Sequence, residues 1–165
     1  MEKLYTGAGR SLPAVPWERY PRPQMVRKEW LCLNGDWTLR FGEKETHICV
    51  PFCPESLLSG VPQPPAIGQQ MIYHRAFTVP ESWYGRRILL HFGAVNRDAV
   101  VSVNCREVAR HNKGYLPFSA DVTDALHEAF GFRTDYEIVT NRQMGKVLTA
   151  AHSAKVKKVP KDESK

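Results

Sequence analysis

The sequence predicts an all-β fold, an antiparallel β-sandwich of the jelly-roll type. Three observations point there. Short runs with a period of two recur along the chain, Gly and Pro punctuate them, and little of the sequence has helical spacing. No internal repeat interrupts this pattern.

The elements follow in order. Residues 1–24 are rich in proline and aromatics (Pro13, Pro16, Trp17, Tyr20, Pro21, Pro23). Proline removes backbone donors and favours extended chain, so this segment reads as an arm laid over the domain, with Trp17 and Tyr20 as its anchors. Asp36 to Phe41 alternates polar and apolar, as a half-buried strand does, which places Trp37, Leu39 and Phe41 in the core. His47–Pro51, Tyr73–Val79, Arg87–Phe92 and Ala99–Val103 are further strands, and Glu107–His111 and Phe118–Val122 are weaker ones. Tyr73, Arg75, Phe77 and Val79 share one face of theirs, and His74, Arg75 and His91 read as structural residues within strands. Asp124–Ala129 reads as a short helix that Asp121 or Thr123 could cap. Tyr136–Thr140 could form a last strand. The domain is therefore expected over residues 25–140.

Between the second and third strands, Pro54 to Gln70 forms a loop containing Gly60, Pro62, Pro64, Pro65 and Gly68. Structureless loops of this length are uncommon in compact domains and are often functional. Gln63, Gln69 and Gln70 each offer a donor and an acceptor that suit sugar hydroxyls. The alternative is a solvated loop, or one that docks on another domain. Trp37 and Trp83 are aromatic enough to stack on a pyranose, but Trp37 alternates in phase with the core and Trp83 follows a turn that it would anchor. Tyr115 and Phe118, on either side of Pro117, read as packing residues.

Charge and composition restrict the function. The net charge is +6 over 165 residues, but residues 141–165 carry seven Lys/Arg against two Asp/Glu. The basicity belongs to a tail, expected to be disordered because it has too few apolar residues to bury. A polyanion-binding role through Lys146, Lys155, Lys157, Lys158 and Lys161 would be salt-dependent and sequence-blind; nucleic acid is not the expected partner. No run of roughly 18 apolar residues could span a membrane. The first ten residues lack the apolar core of a secretory signal, so the expected location is cytoplasmic. Cys32, Cys49, Cys53 and Cys105 are expected to be buried reduced thiols. In extended chain, Cys49 and Cys53 would lie roughly 13 Å apart, beyond disulfide reach. No paired Cys or His motif suggests a metal, and no cofactor is expected.

The segments Tyr20–Gln24, Leu33-Asn34-Gly35-Asp36-Trp37 and Val50–Ser56 precede a denser stretch. This holds Tyr73-His74-Arg75-Ala76-Phe77-Thr78-Val79-Pro80, Trp83-Tyr84-Gly85-Arg86-Arg87 and Gly114 to Leu126. In that order and spacing they resemble the N-terminal sugar-binding domain of family 2 glycoside hydrolases, the β-galactosidase and β-glucuronidase group. The resemblance implies a galactose-binding-like sandwich, normally followed by an immunoglobulin-like domain and a TIM barrel. It also implies that the loop over Gln63, Gln69 and Gln70 can approach the substrate.

Retaining glycosidases need two carboxylates about 5–5.5 Å apart. In this family the barrel supplies both, and the acid/base Glu follows an Asn. No Asn-Glu dipeptide occurs here, and a barrel needs about 250 residues. Glu18, Glu29, Glu55, Glu81, Glu107 and Glu128 have no recognisable acid/base setting. The reading is a non-catalytic sugar-binding accessory domain of a glycosidase, with no catalytic residue assigned. The alternative is a free-standing carbohydrate-binding module. For the accessory domain, the partners would be a carbohydrate, held weakly or by an incomplete site that other domains normally complete, and either the missing hydrolase domains or a second copy, met through an exposed apolar patch.

Two departures from the family pattern bear on the fold. Asn104-Cys105 stands where Asn-Gly is usual, and Cys at φ > 0 costs roughly 1–2 kcal/mol, which suggests a longer turn running through Arg106. Arg133–Thr140 is a loose substitute for the family's apolar closing strand.

Overall fold

The computed structural model describes residues 4–19, 24 and 27–126, and the backbone of residues 133–141 and 152–157. Among the described residues, a single turn of helix, α1 (Gly7–Arg10), precedes ten strands: β1 (Trp30–Cys32), β2 (Gly35–Phe41), β3 (Lys44–Val50), β4 (Gln70–Thr78), β5 (Arg87–Phe92), β6 (Ala99–Val103), β7 (Arg106–His111), β8 (Phe118–Asp121), β9 (Arg133–Asn141) and β10 (His152–Lys157). They form a six-stranded sheet, β3-β2-β4-β9-β6-β7, and a four-stranded sheet, β1-β10-β5-β8. Every described pairing is antiparallel. This is the all-β sandwich expected from the alternation.

One apolar cluster joins the two sheets. Trp37, Leu39 and Phe41 of β2, Ile48 and Val50 of β3, Met71 of β4 and Ala99, Val101 and Val103 of β6 pack with Ile88, Leu90 and Phe92 of β5 and Ala120 of β8. Trp37 is 1% exposed, and its indole N–H donates to the Leu33 carbonyl at 2.7 Å. A large ring with its polar edge satisfied suits a core position, and truncating such a side chain to Ala costs about 3–5 kcal/mol. Trp83 is also buried, in the turn after β4, and anchors that turn as expected. Phe118 packs between Phe92 and His111, stacked on both rings at centroid distances of 4.3 and 4.2 Å.

β9 pairs with β4 on one side and β6 on the other, so the loose closing segment occupies the interior of the larger sheet. β10 lies within residues 141–165, the expected disordered tail. Over those six residues the structure has a strand, held between β1 and β5. Ladders on both sides pair a backbone that its Lys-rich composition could not order alone. Asn141 ends β9, and the rest of that tail, including Lys146, Lys158 and Lys161, lies outside the described residues, as do residues 127–129 of the helix expected over Asp124–Ala129. Up to Leu126 the chain makes a turn, not a helix, in which the Asp121 carboxylate accepts from the Thr123 N–H at 3.1 Å.

The β6–β7 connection differs from expectation. Val103 pairs with Arg106, so the loop is only Asn104-Cys105, with φ of +49 and +62. Both values are those a type I′ hairpin requires. The turn is not lengthened; Cys105 takes the left-handed conformation, and the flanking strands hold it there.

Candidate carbohydrate-binding site

The chain between β1 and β2 organises one end of the sandwich. Asn34 is fully buried, and its side-chain amide donates to the Pro16 carbonyl of the N-terminal arm at 2.8 Å. Arg75 of β4 donates through one guanidinium nitrogen to the carbonyls of Leu33 (3.0 Å) and Asn34 (2.7 Å). Burial pulls the Arg75 pKa down, although Cys32 and Asp36 nearby favour its charge. Gly35 has φ +106, and a Cβ there would lie 2.7 Å from the Ala14 carbonyl. Glycine at this position therefore lets the arm approach the β1–β2 turn at van der Waals range.

The arm is fixed through its backbone, and Trp17, one of its two expected aromatic anchors, is mostly exposed. Pro16 is buried, whereas Trp17 is 65% exposed with φ +51. A left-handed conformation costs a bulky residue roughly 1–2 kcal/mol. The Trp17 ring leans on Phe52 at a centroid distance of 5.4 Å and an interplanar angle of 49°, and the Cys32 thiol faces the Trp17 carbonyl at 4.0 Å. Tyr20, the second expected anchor, lies outside the described residues.

The glutamines lie near the β2–β3 hairpin. Gln70 opens β4 and Gln69 precedes it; with Arg40, Phe41, Gly42 and Ile72 they line an open cleft of about 350 Å³. The Gln69 side-chain carbonyl accepts from the Ala66 N–H at 3.0 Å, which orients its amide. Gly42, at φ +56, leaves room for that amide: a Cβ there would sit 3.0 Å from the Gln69 amide nitrogen. Gln63 accepts from the Lys44 ammonium at 2.8 Å on the neighbouring strand and is not among the residues lining the cleft. Two of the three glutamines thus share a cleft with Arg40. The Pro54–Gln70 loop is partly ordered by a 3-10 turn, Leu57–Ser59, whose Ser56 hydroxyl caps Leu58 and whose buried Ser59 hydroxyl donates to the Pro54 and Ser56 carbonyls. Sequence reasoning missed Arg40, because it registered only as an outward position of an alternating strand.

A wider hollow of about 500 Å³ is lined by Asp36, Thr38, His74 and Thr78 among others, on β2 and β4. His47 meets the Asp36 carboxylate at 3.0 Å at its edge.

Three acids are paired with arginines. Glu29 pairs with Arg86, Glu107 with Arg110 at 2.6 Å, and Asp121 with Arg87 at 2.5 Å. Burial alone would raise the Asp121 pKa, but hydrogen bonds from Thr123 and Arg87 outweigh it and hold the carboxyl below the usual range. A general acid needs the opposite, a carboxyl raised towards neutrality.

All four cysteines are free. They are less buried than expected: Cys32, Cys49 and Cys53 are partly covered and Cys105 is exposed on its turn. Burial pushes the first three thiols up. Among the described residues, no group of three or more His, Cys, Asp or Glu is placed to hold a metal, and no helix is long and apolar enough to cross a membrane.

Residues 35–149 match the family description "Glycosyl hydrolases family 2, sugar binding domain". A β-glucuronidase of Paenibacillus borealis is 51% identical over 51 residues, covering 31% of this chain and 9% of that protein. The β-glucuronidase of Felis catus is 31% identical over 129 residues, covering 63% of this chain and 19% of its own length. The chain thus spans a minor part of the curated relatives it matches. A solved β-D-glucuronidase from Dictyoglomus thermophilum superposes with a TM-score of 0.58 at 25% identity, over 74% of this chain and 21% of that one. A Ruminococcus gnavus β-glucuronidase, in complex with uronic deoxynojirimycin, has a TM-score of 0.64 at 15% identity, over 84% of this chain and 31% of its own; it shares the fold. The chain belongs to glycosyl hydrolase family 2, which it matches through the sugar binding domain.

Proposed function

We propose that this chain is a non-catalytic, sugar-binding accessory domain of the kind found in β-glucuronidases and β-galactosidases, and that on its own it binds a β-linked pyranoside without cleaving it. The observation that carries this reading is the family match to a sugar binding domain over residues 35–149. The cleft where Gln69, Gln70 and Arg40 meet supports it. Amides supply paired donors and acceptors for ring hydroxyls, and a guanidinium adds a fork suited to a uronate carboxylate. Gln63, held by Lys44 beside the hairpin, would contact the sugar only by leaving that lysine.

The settings of the acids support the absence of turnover. Hydrolysis with retention needs one protonated and one ionised carboxyl flanking the same bond. Glu29, Glu107 and Asp121 are instead each paired with an arginine, and Asp121 is held below the usual carboxylate range. A domain of this kind also works beside others. Leu57, Ile67, Tyr115 and Leu116, all exposed, would meet further hydrolase domains or a second copy of the chain.

The test is calorimetric titration of the purified chain with methyl β-D-glucuronide and methyl β-D-galactoside, alongside release of nitrophenol from the matching nitrophenyl glycosides. Saturable heat without nitrophenol is the expected result. Nitrophenol release that tracks the chain through purification, or no heat with either glycoside at millimolar concentration, overturns the reading.

A further inference from the structure

We infer that Trp17 is a stacking platform for the C–H face of a bound pyranoside, held outward by the way the arm is pinned. This rests on the sugar-binding reading above and adds a site away from the glutamine cleft.

The first observation is conformational. Trp17 has φ +51, where bulky side chains are disfavoured, and no glycine relieves it. Strain of this kind persists only where the surroundings over-determine it, and it gathers at ligand clamps. Here the surroundings are identified. Asn34, fully buried, grips the Pro16 carbonyl at 2.8 Å, and Gly35 admits the Ala14 carbonyl at a distance no side chain would tolerate. Arg75 fixes the Asn34 segment from β4. The backbone on the N-terminal side of Trp17 is therefore clamped to the sandwich.

The second observation concerns where the ring goes. An indole is the largest apolar surface a side chain offers, and a pinned arm could have buried it. Pro16 is buried instead, and the indole is 65% exposed, steadied on one side by Phe52. Trp30, Trp37 and Trp83 are all more covered than Trp17. A ring propped by a neighbour and open to solvent has less freedom for binding to remove than an unsupported one. The C–H groups on one side of a pyranose form a flat apolar patch that packs against such a π face, while the hydroxyls at the ring edge remain hydrated. Exposed Glu18 and Arg19 follow Trp17 directly and offer hydrogen-bonding groups for those hydroxyls.

The experiment compares the full chain with Trp17→Ala, Trp17→Phe and Trp17→Gly by calorimetry with methyl β-D-glucuronide and methyl β-D-galactoside, with thermal melting of each variant. Trp17→Ala is expected to weaken both glycosides by about tenfold, the scale of a lost aromatic contact, and Trp17→Phe by less. Trp17→Gly is expected to lose affinity like the alanine variant while melting no lower than the parent, because glycine accepts φ +51 without strain. In the parent, titration should also shift the Trp17 indole N–H resonance, identified by its loss in Trp17→Phe. Parental binding that all three variants keep within twofold, with an unmoved Trp17 resonance, overturns the platform and leaves the sugar-binding domain standing. No binding by the parent removes both. A Trp17→Gly variant that melts well below the parent and keeps its affinity would make the ring structural, and also overturns the platform.

Discussion

The side-chain amide of Asn34 donates to the carbonyl of Pro16 at 2.8 Å, and both residues are buried. Eighteen positions apart in sequence, they fasten the N-terminal arm to the turn between β1 and β2. Asn34→Ala removes the donor and leaves the Pro16 carbonyl without it in a dry setting, at a cost of about 1–3 kcal/mol. Chemical denaturation should show that loss. Limited proteolysis should also cut within residues 4–19 of the variant at protease levels that spare the parent.

The Asn104-Cys105 turn stores strain that can be released. Cys105 sits at φ +62 with its side chain exposed. Cys105→Gly should therefore stabilise the chain by about 1 kcal/mol, since glycine takes this conformation without steric cost. A rise in the denaturation midpoint at unchanged slope checks it.

Gly42→Ala should act on stability and binding together. Its φ of +56 disfavours any Cβ, and that Cβ would press on the Gln69 amide at 3.0 Å. The expected cost is about 1 kcal/mol, with weaker glycoside binding because the amide loses its place in the cleft. Calorimetry on the folded variant measures the second effect, which a change confined to the hairpin would not produce.

Asp121 predicts a pH dependence with a definite sign. Its folded pKa lies below the ordinary carboxylate value of about 3.9, because hydrogen bonds from Thr123 and Arg87 outweigh burial. A depressed carboxyl contributes stability that is fully present above the unfolded pKa and is lost as pH falls through the folded one. Asp121→Asn should flatten the fall in stability below about pH 4. Thermal melts from pH 3 to 7 on both chains, roughly spanning that window, would reveal it.

The thiols should react in order of exposure. Cys105 is open to solvent, whereas burial raises the pKa of Cys32, Cys49 and Cys53 and so lowers their thiolate fraction. Mass-resolved labelling with iodoacetamide at neutral pH should modify Cys105 first.

Strands with a strict period were legible residue by residue. Trp37, Leu39 and Phe41 are buried as their alternation implies, and Arg87–Phe92 and Ala99–Val103 occur with the bounds their β-rich composition suggests. Trp30–Cys32 has only three residues, too few to display a period. His152–Lys157 alternates too, but within a Lys-rich segment whose order depends on β1 and β5, partners far away in sequence. The glutamine loop was legible as a candidate from its composition. Its meeting with Arg40 was not, because that depends on a glycine in a different hairpin. The exposure of Trp17 was not legible for a related reason: proline spacing shows an arm, but not the contacts of Asn34 with the Pro16 carbonyl and of Gly35 with the Ala14 carbonyl.

The decisive experiment is a calorimetric titration of the purified chain with methyl β-D-glucuronide, with the same sample assayed for release of nitrophenol from nitrophenyl β-D-glucuronide. A sugar-binding domain without its own chemistry gives saturable heat and no nitrophenol. Nitrophenol release that disappears when a single carboxylate is replaced would contradict it, and would reveal an acid pair working within this sandwich.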